Sequence, residues 1–360
     1  MRLADCVTGR DNNFNLVRII AAFGVMVSHC WPLTRGHGVI EPPGILIGMS
    51  FGSIAVDLFF VTSGFLVTGS LLSRQDTLAF VWARALRIFP AMFVMLLVTV
   101  SILGLFFSTV SPSAFFTDSI TLKYFWRCLT LINGLEYELP GVFAANPYEN
   151  IVNGSLWSMR YEVRLYLVLA LVWFILHFVS SNRLLLFRIM VVAGAIGYGL
   201  LTMADRFSIY ESSSFFPQLA FMYLMGGSFF ILREHIILSG RLAIALCALL
   251  ALAAAISFDV FFVVYCLSLA YLLLYVSYIP KGVIRRYNAL GDYSYGAYIY
   301  AFPVQQAIVS LVPGITVMPM LVLSSVFTLT LAMLSWHLVE EPALKLKDYF
   351  GRRNKLQSRV

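Results

Sequence analysis

Charge is scarce in this sequence. Of 360 residues only 12% are Asp, Glu, Lys or Arg, 60% are hydrophobic, and the mean hydropathy is +0.85. Soluble globular chains carry about 25% charged residues, so a soluble fold is excluded and a polytopic helical membrane protein is indicated. Apolar segments recur from residue 15 to 339 with mostly short gaps, which leaves no room for a separate soluble domain. Cysteine is sparse as well. Cys6, Cys30, Cys128, Cys247 and Cys266 lie scattered, with no metal-ligand spacing and no disulfide framework, and read as packing residues. No metal is expected. Internal repeats and low-complexity segments are also lacking. The first apolar segment is not a cleavable signal, because it is long, carries Arg18 and His29, and lacks a small-residue cleavage site.

The apolar segments predict ten spanning helices, at about 14–34, 45–72, 86–108, 156–179, 184–204, 215–233, 241–257, 260–279, 292–311 and 317–339. The net charge of +7 would suit a nucleic-acid binder, but its distribution gives another cause. With the amino terminus inside, 19 of the 25 Lys and Arg fall on the inner side. Only Arg35, Lys123, Arg127, Arg160, Arg164 and Arg206 fall outside. That asymmetry is the positive-inside signature, puts both termini in the cytoplasm and needs no nucleic acid. Residues 1–344 form the membrane domain, and 345–360 a basic tail suited to anionic lipid headgroups. One long outer loop, about 109–154, holds acidic and aromatic residues and is expected to cap a substrate site.

Polar residues inside apolar segments are costly and mark candidate sites. Arg18 and His29 lie eleven residues apart in the first span, which brings them to nearly the same helix face. At the helical rise they are roughly 16 Å apart, about half the hydrocarbon thickness. Asp57 lies in the second span, where His29 on the adjacent helix is a plausible partner that would fix the imidazole tautomer. The following Ser63-Gly64 is expected either to break or thin the helix or to allow close helix packing. Arg84 and Arg87 share a face at i and i+3, just before the third span, and can converge on one anion, either a phosphate ligand or lipid headgroups. At the outer mouth of the fourth span, Asn153-Gly-Ser155-Leu-Trp157 leads to Glu162 about two turns inside. Trp157 suits stacking on a sugar ring or anchoring at the interface, and the Asn-Gly-Ser sequon reads as a turn and helix cap. Glu162 would orient His29 or an acceptor hydroxyl, or pair with an Arg. Tyrosines with Asp292, and later Glu340-Glu341, lie at the inner ends of the last two spans.

The order Arg18-x10-His29, Gly52-x3-Val-Asp-Leu-Phe-Phe-x2-Ser-Gly-Phe-Leu66, Arg84-x2-Arg87, Asn153-Gly-Ser-Leu-Trp-Ser-x3-Glu162 and Glu340-Glu-Pro342 resembles the membrane acyltransferase-3 family, which includes bacterial O-antigen and exopolysaccharide O-acetylases. The resemblance covers nearly the whole chain. It implies a multi-pass protein of the bacterial inner membrane that moves an acyl group, commonly acetyl from acetyl-CoA, to a hydroxyl of a polysaccharide or lipid-linked glycan at the outer face. Some relatives append an extracytoplasmic SGNH-type esterase domain. None is visible here, so the chemistry is expected in the membrane unit or with a partner. On this basis His29, Asp57 and Glu162 are the catalytic candidates, Arg84, Arg87 and Arg18 the acyl-CoA ligands, and Trp157, Ser155 and Asn153 the acceptor contacts. The competing classes are a glycan or lipid transporter or flippase, and a scaffold subunit of a polysaccharide-synthesis complex.

Overall fold

The computed structural model describes residues 1–348 except 8, 10, 133, 211 and 213, so nearly all of the basic tail lies outside the described residues. The chain is all-helical. Among the described residues, ten helices of sixteen residues or more occupy the places that hydropathy marks: α1 (Phe14–Arg35), α2 (Phe51–Arg74), α3 (Thr77–Val98), α4 (Met159–Val179), α5 (Arg183–Arg206), α6 (Phe216–Ile231), α7 (Gly240–Ile256), α8 (Phe258–Tyr278), α9 (Ser294–Leu311) and α10 (Val317–Ser335). Seven helical segments among the described residues are long and apolar enough to cross a membrane; α6 and α7 are shorter apolar helices.

Buried share sets the radial order of the bundle. In α2, 67% of the most apolar window is buried, against 22% in α5, so α2 is central and α5 faces outward with side chains such as Ile189, Ile196 and Leu200 exposed. Such an apolar exterior matches lipid, where helices associate through close packing and not by escaping water. The central contact shows this. A Cβ on Gly64 of α2 would stand 1.7 Å from the Tyr223 carbonyl oxygen, and one on Gly226 of α6 would stand 2.1 Å from that of Val61. The two backbones touch, and only glycine fits at either position. Gly64 therefore serves packing. Of the two roles open to Ser63-Gly64, a break or close packing, the second holds, and α2 runs unbroken from Phe51 to Arg74.

Two boundaries are set by caps. Asp76 accepts a hydrogen bond from the Ala79 backbone N–H (3.0 Å), starting α3 about nine residues before the expected place. Arg84 and Arg87 therefore lie within that helix and not ahead of it. Ser257 accepts from the Val260 N–H (3.2 Å) and separates α7 from α8. Beyond α3 the helix continues through a π-helical turn, Thr99–Gly104, and α10 runs into another, Trp336–Glu340.

The long loop contains two short helices, Pro112–Thr117 and Ser119–Thr130. Its later half is fastened to α9. Gln306 donates to the carbonyls of Tyr148 (2.7 Å) and Ile151 (2.6 Å), while Asn146 donates to the Gln306 side chain (2.7 Å).

Candidate active site

Polar side chains from six helices meet around three cavities arranged in series. The first is a vestibule of about 440 Å³, lined by Asn12, Asn15, Arg84, Arg87, Asn288 and Asp292 among others. Arg84, Arg87 and Leu66 also line a narrow middle cavity of about 80 Å³, together with Arg18, Ser63, Glu162 and Tyr166. A far cavity of about 440 Å³ holds Ser28, His29, Asp57, Trp157, Phe215 and Gln218. Val56 lines both the middle and the far cavity.

The shared helix face of Arg18 and His29 thus serves two chambers. Arg18 looks into the middle cavity and His29 into the far one. The His29 ring is half-buried, sits edge-on to Phe302 with centroids 5.1 Å apart, and its Nδ1 is buried without a hydrogen-bond partner. A buried ring nitrogen with no partner is unusual and marks a place where an incoming group can bond.

Asp57 does not pair with His29. Its Oδ2 accepts from Gln218 Nε2 (2.9 Å) and from the Tyr265 hydroxyl (3.0 Å), and its Oδ1 is buried without a partner. The pairing inferred from neighbouring helices is not made because Gln218 on α6 and Tyr265 on α8 supply the donors to this carboxylate. His29 and Asp57 still share a cavity, each with one polar atom unsatisfied.

Glu162 sits in the middle cavity, apart from His29, and in no ion pair among the described residues. Its Oε1 accepts from Ser63 Oγ (2.8 Å) and from the Tyr166 hydroxyl. The placement follows from helix register: the roughly one and a half turns separating Glu162 from Trp157 carry it from the far cavity to the middle one.

The arginines divide their work. Arg87 Nη2 donates to Asp292 Oδ2 (2.7 Å) and Nη1 to Glu340 Oε2 (3.1 Å), while Arg18 pairs with the same Asp292 oxygen. Glu340 arrives on the π turn after α10, where Ser335 also donates to it (3.0 Å). Arg84 enters no ion pair among the described residues. Its Nε is buried without a partner, and its guanidinium lies 6.0 Å from the Tyr166 ring centre. Both arginines line the vestibule and the middle cavity, but Arg87 is committed to carboxylates, whereas Arg84 is in no ion pair among the described residues.

Of the three expected acceptor contacts, only Trp157 lines a cavity. Asn153 and Ser155 are wholly buried. Asn153 caps the turn Gly154–Ser158, accepting from the Ser155 N–H (3.2 Å) and donating to the Ile299 carbonyl (2.9 Å), and the Ser155 carbonyl accepts from Tyr298 (2.7 Å). Asn153 and the Ser155 backbone fasten this turn to α9, while the Ser155 Oγ is buried without a partner. Among the described residues the long loop supplies none of those lining the far cavity; its Tyr148 stands against Phe302, as does His29. Sequence reasoning missed Gln218, Tyr265 and Val56. Gln218 could have been noticed as a lone amide in an apolar span; the other two carry no signal of their own.

Residues 11–337 match the family model described as an acyltransferase domain, which is nearly the full chain. The chain belongs to the acyltransferase-3 family. Family membership makes this multi-pass membrane protein an acyltransferase enzyme. It is 29% identical to an O-acetyl transferase of Shigella phage Sf6 over 92% of this chain and 96% of that one. It is also 26% identical to Nodulation protein 10 of Rhizobium leguminosarum bv. viciae, over 94% and 95% of the two chains. No solved structure matches. Among the described residues no cluster of three or more His, Cys, Asp or Glu forms a metal site.

Proposed function

We propose that the enzyme transfers an acetyl group from cytoplasmic acyl-CoA to a hydroxyl of an envelope polysaccharide or its lipid-linked precursor on the outer face of the bacterial inner membrane. The observation that carries this reading is the series of cavities: a basic pair of chambers at one end, and beyond Val56 a chamber with His29, Asp57 and Trp157. The positive-inside distribution orients the basic end to the cytoplasm, where CoA thioesters reside. The name of the Shigella phage relative supports acetyl as the group and oxygen as the acceptor atom.

The residues suit an anionic donor. Arg84, free of carboxylates and with an unsatisfied Nε, would bind a phosphate by charge-assisted hydrogen bonds. Arg87 and Arg18 add positive potential but stay bound to Asp292. Ser63, Glu162 and Tyr166 form a polar stretch of wall in the middle cavity, suited to amide groups of a donor arm.

In the far cavity Trp157 and Phe215, with ring centroids 5.1 Å apart, offer a surface on which a sugar can stack. His29 then takes the proton of the acceptor hydroxyl as general base. The oxygen forms the new ester bond to the acyl carbon, the carbon–sulfur bond breaks, and the proton ends on the departing thiol. Asp57, fixed by Gln218 and Tyr265, accepts a second hydroxyl of the sugar through its open Oδ1 and sets which oxygen faces His29. The test is transfer of labelled acetyl from acetyl-CoA to envelope glycan in membranes with accessible inner faces. Incorporation that depends on this protein supports the reading, and incorporation unchanged by its removal sinks it.

A further inference from the structure

The middle and far cavities have one lining residue in common, Val56 of α2. Other residues fall to one side or the other: Phe59, Phe60 and Ser63 face the middle cavity, Gly52, Ser53 and Asp57 the far one. On α4 the same division passes through the preceding turn, with Trp157 on the far side and Ser158 on the middle side. The partition therefore runs across α2 at Val56 and meets the start of α4.

This partition is stiff. Val56 is 4% exposed, and a β-branched side chain in a helix is held largely to one rotamer, so its two methyl groups do not swing aside. The helix beneath it is fixed too. Asp57, the next residue, is tied to Gln218 and Tyr265, and one turn earlier Gly52 is packed so close to Ser28 that a Cβ would lie 2.8 Å from the hydroxyl.

We infer that Val56 is the constriction past which the acyl group reaches His29, and that its two methyl groups select donors by acyl width, passing unbranched acyl groups and excluding those branched beside the carbonyl. The inference rests on the donor entering from the basic end. Width is the relevant measure because an unbranched acyl chain is no broader than a methylene arm behind it, whereas a branch at the second carbon is. One or two methyl groups in an apolar passage discriminate by roughly 10- to 200-fold.

The test compares acetyl-, butyryl- and isobutyryl-CoA on membranes containing wild-type, Val56→Ala or Val56→Ile protein. Rates are taken as ratios to acetyl within one preparation, so the amount of folded protein cancels. For wild type, isobutyryl is expected to be the poorest donor. Val56→Ala should raise the isobutyryl-to-acetyl ratio about tenfold or more while moving the butyryl ratio less. Val56→Ile, which keeps the core filled, should lower both ratios. A wild-type isobutyryl ratio retained in Val56→Ala overturns the inference and leaves the donor reading intact. Failure of wild-type protein to use any CoA thioester overturns both.

Discussion

Arg84 and Arg87, one helical turn apart on the same face of α3, hold opposite electrostatic positions. Arg87 is locked between Asp292 and Glu340, whereas Arg84 meets no carboxylate among the described residues. Removing one partner of a buried pair leaves the other uncompensated, which costs about 3–5 kcal/mol. Arg87→Ala strands the buried Glu340 and leaves Asp292 with Arg18 alone, and should lower the thermal stability of the detergent-solubilised protein sharply. Arg84→Ala should leave stability near wild type and raise the KM for acyl-CoA by about tenfold, the equivalent of one charge-assisted hydrogen bond. Equal loss of stability in both would show that Arg84 is structural.

Gly64 and Gly226 place two backbones in direct contact at the centre of the bundle. Even alanine at either position must push α2 and α6 apart. Gly64→Ala and Gly226→Ala should each cost about 3 kcal/mol or more, seen as loss of the monodisperse species after membrane extraction. Gly197, with open space around its would-be Cβ, is the control and should accept Ala without loss.

Glu41, in the connection between α1 and α2, is 5% exposed, accepts a hydrogen bond from Ser28, and has its second oxygen buried without a partner. Burial holds its carboxyl above the usual carboxylate range, against the opposing pull of the Ser28 hydrogen bond. A raised folded-state value means that the folded protein binds this proton more tightly than the unfolded chain does. Its stabilising contribution is therefore complete below the unfolded value, about 4.3, and is lost as pH rises through the folded one. Glu41→Gln should flatten that part of the curve of melting temperature against pH. A slope identical to wild type would contradict the assignment.

Trp157 lines the far cavity beside Phe215 and takes no part in the basic chambers. Trp157→Ala should raise the KM for the glycan acceptor by about tenfold or more, on the scale of 1–3 kcal/mol for burying a large apolar side chain, with the KM for the acyl donor unchanged. A change in donor KM of the same size would place the ring elsewhere in the mechanism.

Hydropathy located every long helix because twenty apolar residues in a row have few alternatives. It failed at the start of α3, where Arg84 and Arg87 dilute the apolar signal and the Asp76 cap is the better marker. The face shared by Arg18 and His29 was legible from spacing, since helical periodicity is local. The partners of Asp57 were not, because Gln218 and Tyr265 stand 161 and 208 residues away. The same holds for Asp292, which draws Arg18 and Arg87 from 274 and 205 residues away. Residue type and spacing named candidate groups, and only packing decided which groups met. Asn153 shows the reverse error: a polar side chain beside a tryptophan resembles a ligand contact, yet its cap and its bond to Ile299 use it fully.

The most direct test of the account is the O-acyl content of surface polysaccharide from cells carrying wild-type or His29→Ala protein at matched membrane levels. Base-labile acyl groups would be quantified by NMR. The account predicts acylation with wild type and a loss of about 10²- to 10⁴-fold in transfer rate without the imidazole. Equal acylation in the two strains would contradict the role of His29 and with it the placement of chemistry in the far cavity.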